Sequence, residues 1–262
     1  MSSAFARRSA LRPPPAGPAG AAPGFGPVLR RDGLELRAAE TAQELAKLLA
    51  LRARVYRGDA AACDADAQDP ACLHLWIAPP GGAPLATLRL RHHPDYASLI
   101  TGYSAGFFDL SPLVRLPGTA LELGRLALHP DAPHPPLMRL LWTGIARMTR
   151  RTGAARLIGC TSLPGADPAR HAPILSHLAR HHLGPAALRP APRSAAAPLP
   201  RLADDTAPAL PPILRFYLSL GGWVSDRLAL DADLDTCVLF TCVETATMPP
   251  AQARLMQALA AY

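Results

Sequence analysis

The segment Leu121-Glu122-Leu123-Gly124-Arg125-Leu126-Ala127-Leu128-His129-Pro130 decides how the rest of the sequence is interpreted. It is an apolar run typical of a buried β-strand, and it is interrupted by one carboxylate and one guanidinium three residues apart. The His129-Pro130 pair ends the run before a helical pattern begins. We therefore expect the chemistry of the protein to lie at Glu122 and Arg125.

The chain has 262 residues, of which 49% are hydrophobic, so it can bury one sizeable core. Its 30 prolines gather at the N-terminus and again between Pro185 and Pro212. Segments of this composition bury too little apolar surface to fold alone. We predict a disordered tail over residues 1–27, one domain over 28–245 with an extended connector at 185–212, and a C-terminal tail over 246–262 that contains a short helix.

The formal net charge is +7, and a positive field attracts nucleic acid, an acidic carrier protein or an anionic membrane surface. Aromatic residues make up only 5%, which is low for stacking on bases, so nucleic acid ranks last of the three. The sequence contains no run of about 18 apolar residues that would cross a bilayer. The five cysteines are odd in number and lack Cys-x-x-Cys spacing, which favours reduced thiols and a cytoplasmic location.

Ahead of the central segment, the pattern predicts a strand over residues 28–38 and then a helix. Thr41 and Glu44 form a capping-box pair at the start of this helix, and Gly58 ends it. Two further strands, over 73–78 and 84–91, flank a Gly81-Gly82 turn and are expected to form an antiparallel hairpin.

Three arginines, Arg52, Arg54 and Arg57, lie in the last turns of the predicted helix. Cations at this position stabilise the negative end of the helix dipole, but they can also bind an anionic group of a substrate. Both interpretations remain open for Arg52 and Arg54, whereas capping is favoured for Arg57.

After the central segment, residues 137–148 have helical spacing and end near Gly153, and residues 156–161 form a short buried strand. A strand, a helix and a strand in succession predict a right-handed crossover with parallel strands. Further helices are expected over 171–182 and 211–222, and further strands over 223–225 and 236–241. The predicted fold is of the α/β class, with a central mixed, twisted sheet flanked by helices.

Two groups of side chains have spacings that resemble metal sites. Asp64, Asp66 and Asp69 lie in a polar loop that lacks the glycine and distal glutamate of a calcium loop. His177 and His181 lie one helical turn apart but lack a third ligand or an accompanying general base. We therefore expect no metal at either place.

Glu122 and Arg125 suit group transfer onto an amine. An amine that attacks a thioester must lose a proton, and a partly buried glutamate with a raised pKa can accept it. Backbone N–H groups at a bulged strand end can stabilise the carbonyl oxygen, and Arg125 can bind a substrate carboxylate. The alternative is that Glu122 and Arg125 only pair with each other as structural groups.

The sequence resembles the ornithine N-acyltransferases of the GNAT-like superfamily, which are relatives of the acyl-homoserine-lactone synthases. The resemblance covers about residues 34–243. The Leu-Glu-Leu-Gly-Arg segment and the Gly159–Pro168 segment, Gly-Cys-Thr-Ser-Leu-Pro-Gly-Ala-Asp-Pro, carry most of it. The supporting stretches are 142–146, 178–185 and 210–224.

This resemblance implies a GNAT-like acyltransferase that moves a 3-hydroxyacyl chain from acyl carrier protein to the α-amine of ornithine, the first step of ornithine lipid biosynthesis. It implies no cofactor, because the acyl carrier protein is the donor substrate. It also implies peripheral contact with the inner membrane. It makes Glu122 the catalytic base and Arg125 its functional neighbour. Substrate-binding roles are implied for Arg52, Arg54, His74 and Ser162.

The sequence departs from the family pattern at Leu73, Asp235 and Cys237. These changes motivate an alternative hypothesis, a non-catalytic or substrate-shifted relative that binds acyl carrier protein or membrane. In addition, the loop over residues 130–136 lacks the glycines that expose backbone N–H groups to a coenzyme A pyrophosphate. An acyl carrier protein presents a single phosphate, so we expect it to be the donor.

Overall fold

The computed structural model describes residues 24–203 and 208–261. Twelve strands are formed within these residues: β1 (Leu29–Arg31), β2 (Leu34–Ala38), β3 (Leu73–Ala78), β4 (Ala86–His93), β5 (Phe108–Asp109), β6 (Ala120–Leu128), β7 (Arg156–Pro164), β8 (Ala191–Pro192), β9 (Ala196–Pro198), β10 (Trp223–Val224), β11 (Arg227–Asp231) and β12 (Thr236–Glu244). The α-helices are α1 (Ala42–Arg57), α2 (Tyr96–Leu99), α3 (Ser104–Phe107), α4 (His134–Thr152), α5 (Ala172–His181), α6 (Pro212–Ser219) and α7 (Pro250–Ala261).

Ten of the strands form one mixed sheet in the order β1-β2-β3-β4-β6-β7-β12-β11-β9, with β10 paired to β12. Within this sheet, β6 and β7 run parallel and the other paired strands are antiparallel. Strands β5 and β8 form a separate two-stranded sheet. The predicted α/β class with a central mixed sheet is confirmed, and so is the hairpin of β3 and β4.

Helices cover both faces of the sheet, as the alternation along β3 illustrates. Leu75 and Ile77 belong to the core cluster that contains the buried side chains of α4. Trp76, which points to the opposite face, packs with Leu48 of α1. Successive side chains of a strand point to opposite faces. Helices α1 and α4 therefore lie on opposite sides of the sheet, and α7 packs on α4.

Helix α1 begins and ends where the sequence predicts. The Thr41 side chain accepts a hydrogen bond from the backbone N–H of Glu44, and the Glu44 side chain accepts in return from the N–H of Thr41. Gly58 adopts a left-handed conformation at the C-terminal end, with φ of 72°. The predicted strand over residues 28–38, however, is a hairpin of β1 and β2, because Asp32 and Gly33 have positive φ and form a turn.

The central crossover of β6, α4 and β7 has the predicted parallel arrangement, but its two strands pair over only part of their length. Residues Ala120 to Leu123 pair with Arg156 to Gly159. Beyond this point β6 and β7 both continue, without pairing to each other in the described sheet. The parallel pair is therefore open at one end, and the opening positions the candidate site.

The segments outside the predicted domain differ from expectation in part. Most of the predicted disordered tail, residues 1–23, lies outside the described residues. The predicted tail includes residues 24–27, but Phe25 is buried and Arg147 stacks over its ring. The packed part of the chain therefore begins before residue 28.

The connector over 185–212 is also more ordered than its composition indicates. Its residues Ala196 to Pro198 form β9, which pairs with β11 at the edge of the main sheet. A strand rich in alanine and proline suits a sheet edge, where few ladder hydrogen bonds are required. The C-terminal helix is present as α7, and it buries Met256 and Ala260.

Among the residues that the structure describes, no helix combines the length and the hydropathy that a bilayer-spanning segment requires.

Candidate functional site

The candidate site lies where β6 separates from β7. The pairing of β6 with β4 shifts register between Thr87 and Arg89, so Arg125 and Leu126 have no paired residue in either neighbouring strand of the described sheet. Arg125 has φ of 51°, a backbone conformation that residues other than glycine rarely adopt. This is a β-bulge, and it leaves the backbone of two residues free of strand pairing.

A cavity of about 260 Å³ fills the opening. Its walls come from α1, from the loop before α3, from β6, β7 and β12, and from α6. The lining side chains include Tyr56, Tyr103, Arg125, Cys160, Ser162, Ile213, Tyr217, Leu234 and Thr236. Polar groups lie beside apolar ones, which suits a reaction that joins a polar acceptor to an acyl chain.

Glu122 is buried, with 4% of its surface exposed, and it does not line this cavity. Its carboxylate accepts hydrogen bonds from the backbone N–H groups of Tyr103 (3.0 Å) and Ser104 (2.6 Å), and Nε2 of His93 lies 3.1 Å away. Burial alone would raise the pKa of Glu122, but the hydrogen bonds from His93 and Ser104 and the charge of His93 lower it. The expectation of a raised pKa was therefore wrong.

Arg125 does not pair with Glu122. Its Nη2 lies 3.1 Å from Asp66 and its Nε 3.3 Å from Asp64, while Nη1 donates to the hydroxyl of Tyr103 at 3.1 Å. The guanidinium also stacks over the Tyr103 ring, 5.0 Å from its centroid. The hypothesis of a structural Glu122–Arg125 pair is therefore wrong. Arg125 forms part of the cavity wall, and Asp64 and Asp66 hold it in place.

The aspartates considered as calcium ligands bind arginines instead. Asp69 accepts from Arg52 and from Arg89, both at 2.7 Å, and Asp64 accepts from Arg52 at 2.8 Å. Burial alone would raise the pKa of Asp69, but the hydrogen bonds from these arginines and from the Asp66 N–H lower it to about 2. No group of three or more histidine, cysteine or carboxylate side chains in the described ranges is arranged to hold a metal.

The structure places the predicted substrate-binding arginines away from the cavity lining. Arg52 is 1% exposed and is fully engaged with the buried aspartates, so its position supports a structural role. Arg54 is half-exposed and contacts His129 and Asp131, which ties α1 to the loop before α4. Arg57 pairs with Asp233 at 2.9 Å, so it connects the end of α1 to the turn between β11 and β12, whether or not it also caps the helix.

His74 and Ser162 differ in their positions. His74 is buried with Nε2 3.0 Å from the carbonyl of Asp69, and burial is the main cause that lowers its pKa. It therefore supports the aspartate loop and does not line the cavity. Ser162 lies on β7 in the cavity wall, opposite Val238 of β12, where its side chain can reach a ligand.

Several cavity residues were not identified from the sequence. Tyr56 donates to the carbonyl of Leu126 at 2.6 Å, and Tyr217 donates to the carbonyl of Ile158 at 3.0 Å. Burial raises the pKa of Tyr217 well above its ordinary value, so its hydroxyl stays protonated. These tyrosines lie in helices with ordinary apolar spacing, and nothing local distinguishes them from core residues.

Comparisons with known proteins identify the family and the fold. Residues 51–143 match the family model described as an acetyltransferase (GNAT) domain. An L-ornithine N(alpha)-acyltransferase from Rhodobacter capsulatus is 31% identical over 171 residues, 63% of this chain and 65% of that protein, so less than two thirds of its length is matched. The protein of the same name from Rhizobium meliloti is 32% identical over 241 residues, 80% of each chain.

A solved structure supports the fold alone. The structure of FeeM, an N-acyl amino acid synthase from uncultured soil microbes, superposes with a TM-score of 0.50 at 11% identity. The superposition covers 84% of this chain and 97% of that one.

Proposed function

The chain belongs to the L-ornithine N(alpha)-acyltransferase family, and from this membership we propose that it transfers a 3-hydroxyacyl chain to the α-amine of ornithine. The observation that carries the proposal is the opening between β6 and β7, where a cavity meets the unpaired backbone of Arg125 and Leu126. Acyl transfer requires donors for a developing oxyanion beside a site for the acceptor.

In the proposed reaction the amine nitrogen attacks the thioester carbonyl carbon, and the carbonyl oxygen gains negative charge. Arg125 and Leu126 have no paired residue in the neighbouring strands, and their backbone N–H groups are the proposed donors to this oxygen. When the tetrahedral intermediate collapses, the carbon–sulfur bond breaks and the thiolate needs a proton. The proton that the amine releases balances this uptake. The hydroxyl of Tyr217, in the cavity wall, is the proposed relay, which leaves the carbonyl of Ile158, gives its proton to the sulfur and regains one from the amine.

The amine must also lose a proton. Glu122 was predicted to accept it, but both of its oxygens already accept hydrogen bonds and its pKa is lowered. We therefore propose that Glu122 acts mainly as a positioning residue, which holds Tyr103 against Arg125 in the cavity wall. A role as base requires a substrate or water to displace one of its present donors.

The proposed donor is an acylated carrier protein. Asp131 and Ala132 donate their N–H groups to His129, and Pro133, Pro135 and Pro136 have no N–H, so the start of α4 offers few donors to a pyrophosphate. Helices α4, α6 and α7 contain no carboxylate residue, and they carry exposed arginines that suit an acidic partner. These are Arg139, Arg150, Arg151, Arg215 and Arg254.

We also propose that the protein contacts the cytoplasmic face of the inner membrane peripherally, because its product would be a lipid. Leu255 on α7 is 50% exposed, and it adjoins the exposed Arg254. An apolar side chain beside a cation suits the surface of an anionic bilayer. Release of the protein from membranes by high salt is expected, and release only by detergent would contradict a peripheral contact.

The alternative, a non-catalytic relative, rests on the departures at Leu73, Asp235 and Cys237. None of these three side chains lines the cavity. Cys237 is fully buried, and Asp235 accepts a hydrogen bond from the N–H of Ala166 in a neighbouring turn. Their positions favour the catalytic hypothesis.

The test is to incubate the purified protein with 3-hydroxyacyl carrier protein and labelled ornithine and to measure label in an organic extract. We expect a labelled lipid, and we expect a much lower rate with the corresponding acyl-coenzyme A. Lack of product at every acyl length, with the carrier protein still bound, would overturn the enzyme proposal. Equal rates with both donors would overturn only the choice of donor.

A further inference from the structure

Asp231, the last residue of β11, is a buried carboxylate without a cationic partner. It is 9% exposed, and its Oδ1 accepts from the backbone N–H groups of Asp233 (3.0 Å) and Leu234 (3.4 Å). The other buried carboxylates among the described residues, Asp64, Asp69 and Glu122, each lie beside an arginine or a histidine. No described basic side chain forms an ion pair with Asp231.

A buried charge without a counter-charge is costly, and in proteins it is normally paired or bound to a ligand. The sequence carries excess arginine, with a formal net charge of +7, yet among the described residues no arginine lies within ion-pair distance of Asp231. The missing cation is therefore expected to come from a bound molecule.

Asp231 does not itself line the cavity, but it adjoins residues that do. Asp231 pairs with Thr236 of β12, and Thr236 lines the cavity together with Leu234. Directly paired residues project to the same face of a sheet. On that face Thr236 has a buried hydroxyl oxygen without a hydrogen-bond partner. The unpartnered hydroxyl of Thr236 thus lies in the cavity wall, and the carboxylate of Asp231 lies beside it on the same face of the sheet.

Two neighbouring groups respond to the charge of Asp231. Burial is the main cause that raises the pKa values of Tyr103 and Cys160, and the charge of Asp231 raises both further. Both side chains line the cavity. Asp231 is therefore within electrostatic range of the cavity interior.

We propose that Asp231, assisted by Thr236 and Ser162, binds the side-chain ammonium of the amino-acid acceptor and so selects amino acids with a terminal amine. This inference rests on the proposed function. Charge-assisted hydrogen bonds from an ammonium are strong when the site excludes water. An amino acid with an uncharged side chain would leave Asp231 buried and unpaired, which disfavours its binding.

The test compares ornithine with norvaline, which has the same carbon chain without the terminal amine, in Asp231→Asn and in the unaltered protein. The Asn side-chain oxygen can still accept from the N–H groups of Asp233 and Leu234, so the turn is retained. The variant is expected to lower kcat/KM for ornithine about 10- to 100-fold, mainly through a higher KM. Its kcat/KM for norvaline is expected to stay within about threefold of that of the unaltered protein. An unchanged preference for ornithine would overturn the proposal.

Two further variants serve as a control and as a safeguard. Asp226→Asn makes the same substitution at the residue that precedes β11, where the side chain is 52% exposed. This variant is expected to keep the ornithine preference. Thr236→Val preserves shape and removes a hydroxyl that has no protein partner, so the fold should tolerate it. It is expected to weaken the ornithine preference about fivefold.

Calorimetric binding of ornithine and of norvaline separates the two proposals. If the unaltered protein binds ornithine through Asp231 but acylates neither amino acid, the proposed function fails and the Asp231 site stands. If ornithine is acylated and binds equally well to the unaltered protein and to Asp231→Asn, the function stands and the Asp231 site fails. If the unaltered protein binds neither compound, the Asp231 site also fails.

Discussion

The backbone N–H of Tyr103 donates to Oε2 of Glu122 at 3.0 Å, so a buried carboxylate fixes the residue whose ring forms part of the cavity wall. The next N–H, of Ser104, donates to Oε1 at 2.6 Å. Tyr103 in turn accepts from Arg125, which lies at the bulge. Glu122 and Arg125, three residues apart in one strand, are thus connected through a loop and not directly.

Glu122→Gln is expected to lower both stability and activity. The amide nitrogen of glutamine is a donor, so wherever it replaces a carboxylate oxygen of Glu122 it would face a backbone N–H group that needs an acceptor. Loss of a hydrogen bond to a charged group costs about 1.5–3 kcal/mol, so the free energy of unfolding should fall by about that amount. The rate should fall as well, because Tyr103 and Arg125 lose their support. Urea denaturation and steady-state kinetics measure the two effects.

Glu35→Gln is the matched control for this substitution. Glu35 pairs with Arg30, which is 70% exposed, and such pairs contribute less than about 1 kcal/mol. This variant should keep both the stability and the rate. If Glu122→Gln also retained both, Glu122 would have no role as a base or as a positioning residue.

The aspartate–arginine cluster predicts a loss of stability in acid. The pKa of Asp69 is about 2 in the folded protein and 3.8 for the free side chain, so its contribution is fully present above about pH 4 and is lost as the pH falls toward 2. The size is about 2 kcal/mol. Asp69→Asn should therefore flatten the dependence of the unfolding free energy on pH between about 4 and 2, the range between the two pKa values. Equal slopes for both proteins would contradict the assignment.

Local signals in the sequence predicted the elements that local interactions determine. The Thr41–Glu44 capping box defined the start of α1, and the Gly81-Gly82 turn defined the hairpin of β3 and β4. The opening strand and the crossover after it followed from apolar patterning. Each of these features depends on residues close together in the chain, and the structure confirms them.

Features that depend on distant residues were not predictable in this way. Arg52 meets Asp69, and Arg125 meets Asp66, only because the fold brings α1, β6 and the intervening loop together. The strand that carries Asp231 was missed, because its alternation is short and its partner strand β9 comes from a proline-rich segment. The lowered pKa of Glu122 likewise required the position of the loop around Tyr103.

Substitutions at Arg125 test the left-handed conformation at the bulge. Arg125→Ala and Arg125→Gly both remove the guanidinium and should both lower the rate strongly. The two variants differ only in the Cβ of alanine, which costs roughly 1–2 kcal/mol in the left-handed region and so favours glycine. The flexibility of glycine in the unfolded chain acts in the opposite direction and offsets part of this difference. We expect the glycine variant to be the more stable, by about 0.5 kcal/mol in urea denaturation.

Leu126 provides the control for this comparison, since its φ is not positive. At Leu126 the alanine variant should be the more stable of the pair. If the alanine variant were the more stable at both positions, the conformation of Arg125 would store no strain.

Gly159→Ala tests whether the opening between β6 and β7 is required. A Cβ at residue 159 would lie 2.6 Å from the carbonyl oxygen of Leu123 and 2.6 Å from the hydroxyl of Tyr217, so backbone or ring must shift. Overpacking of this kind costs about 1–3 kcal/mol, and the shift would move the proposed proton donor. We expect a large loss of kcat with a moderate fall in melting temperature. Gly106→Ala, with nothing within 4 Å of its Cβ, should leave both unchanged. Full activity in Gly159→Ala would show that neither the last strand pair nor Tyr217 limits catalysis.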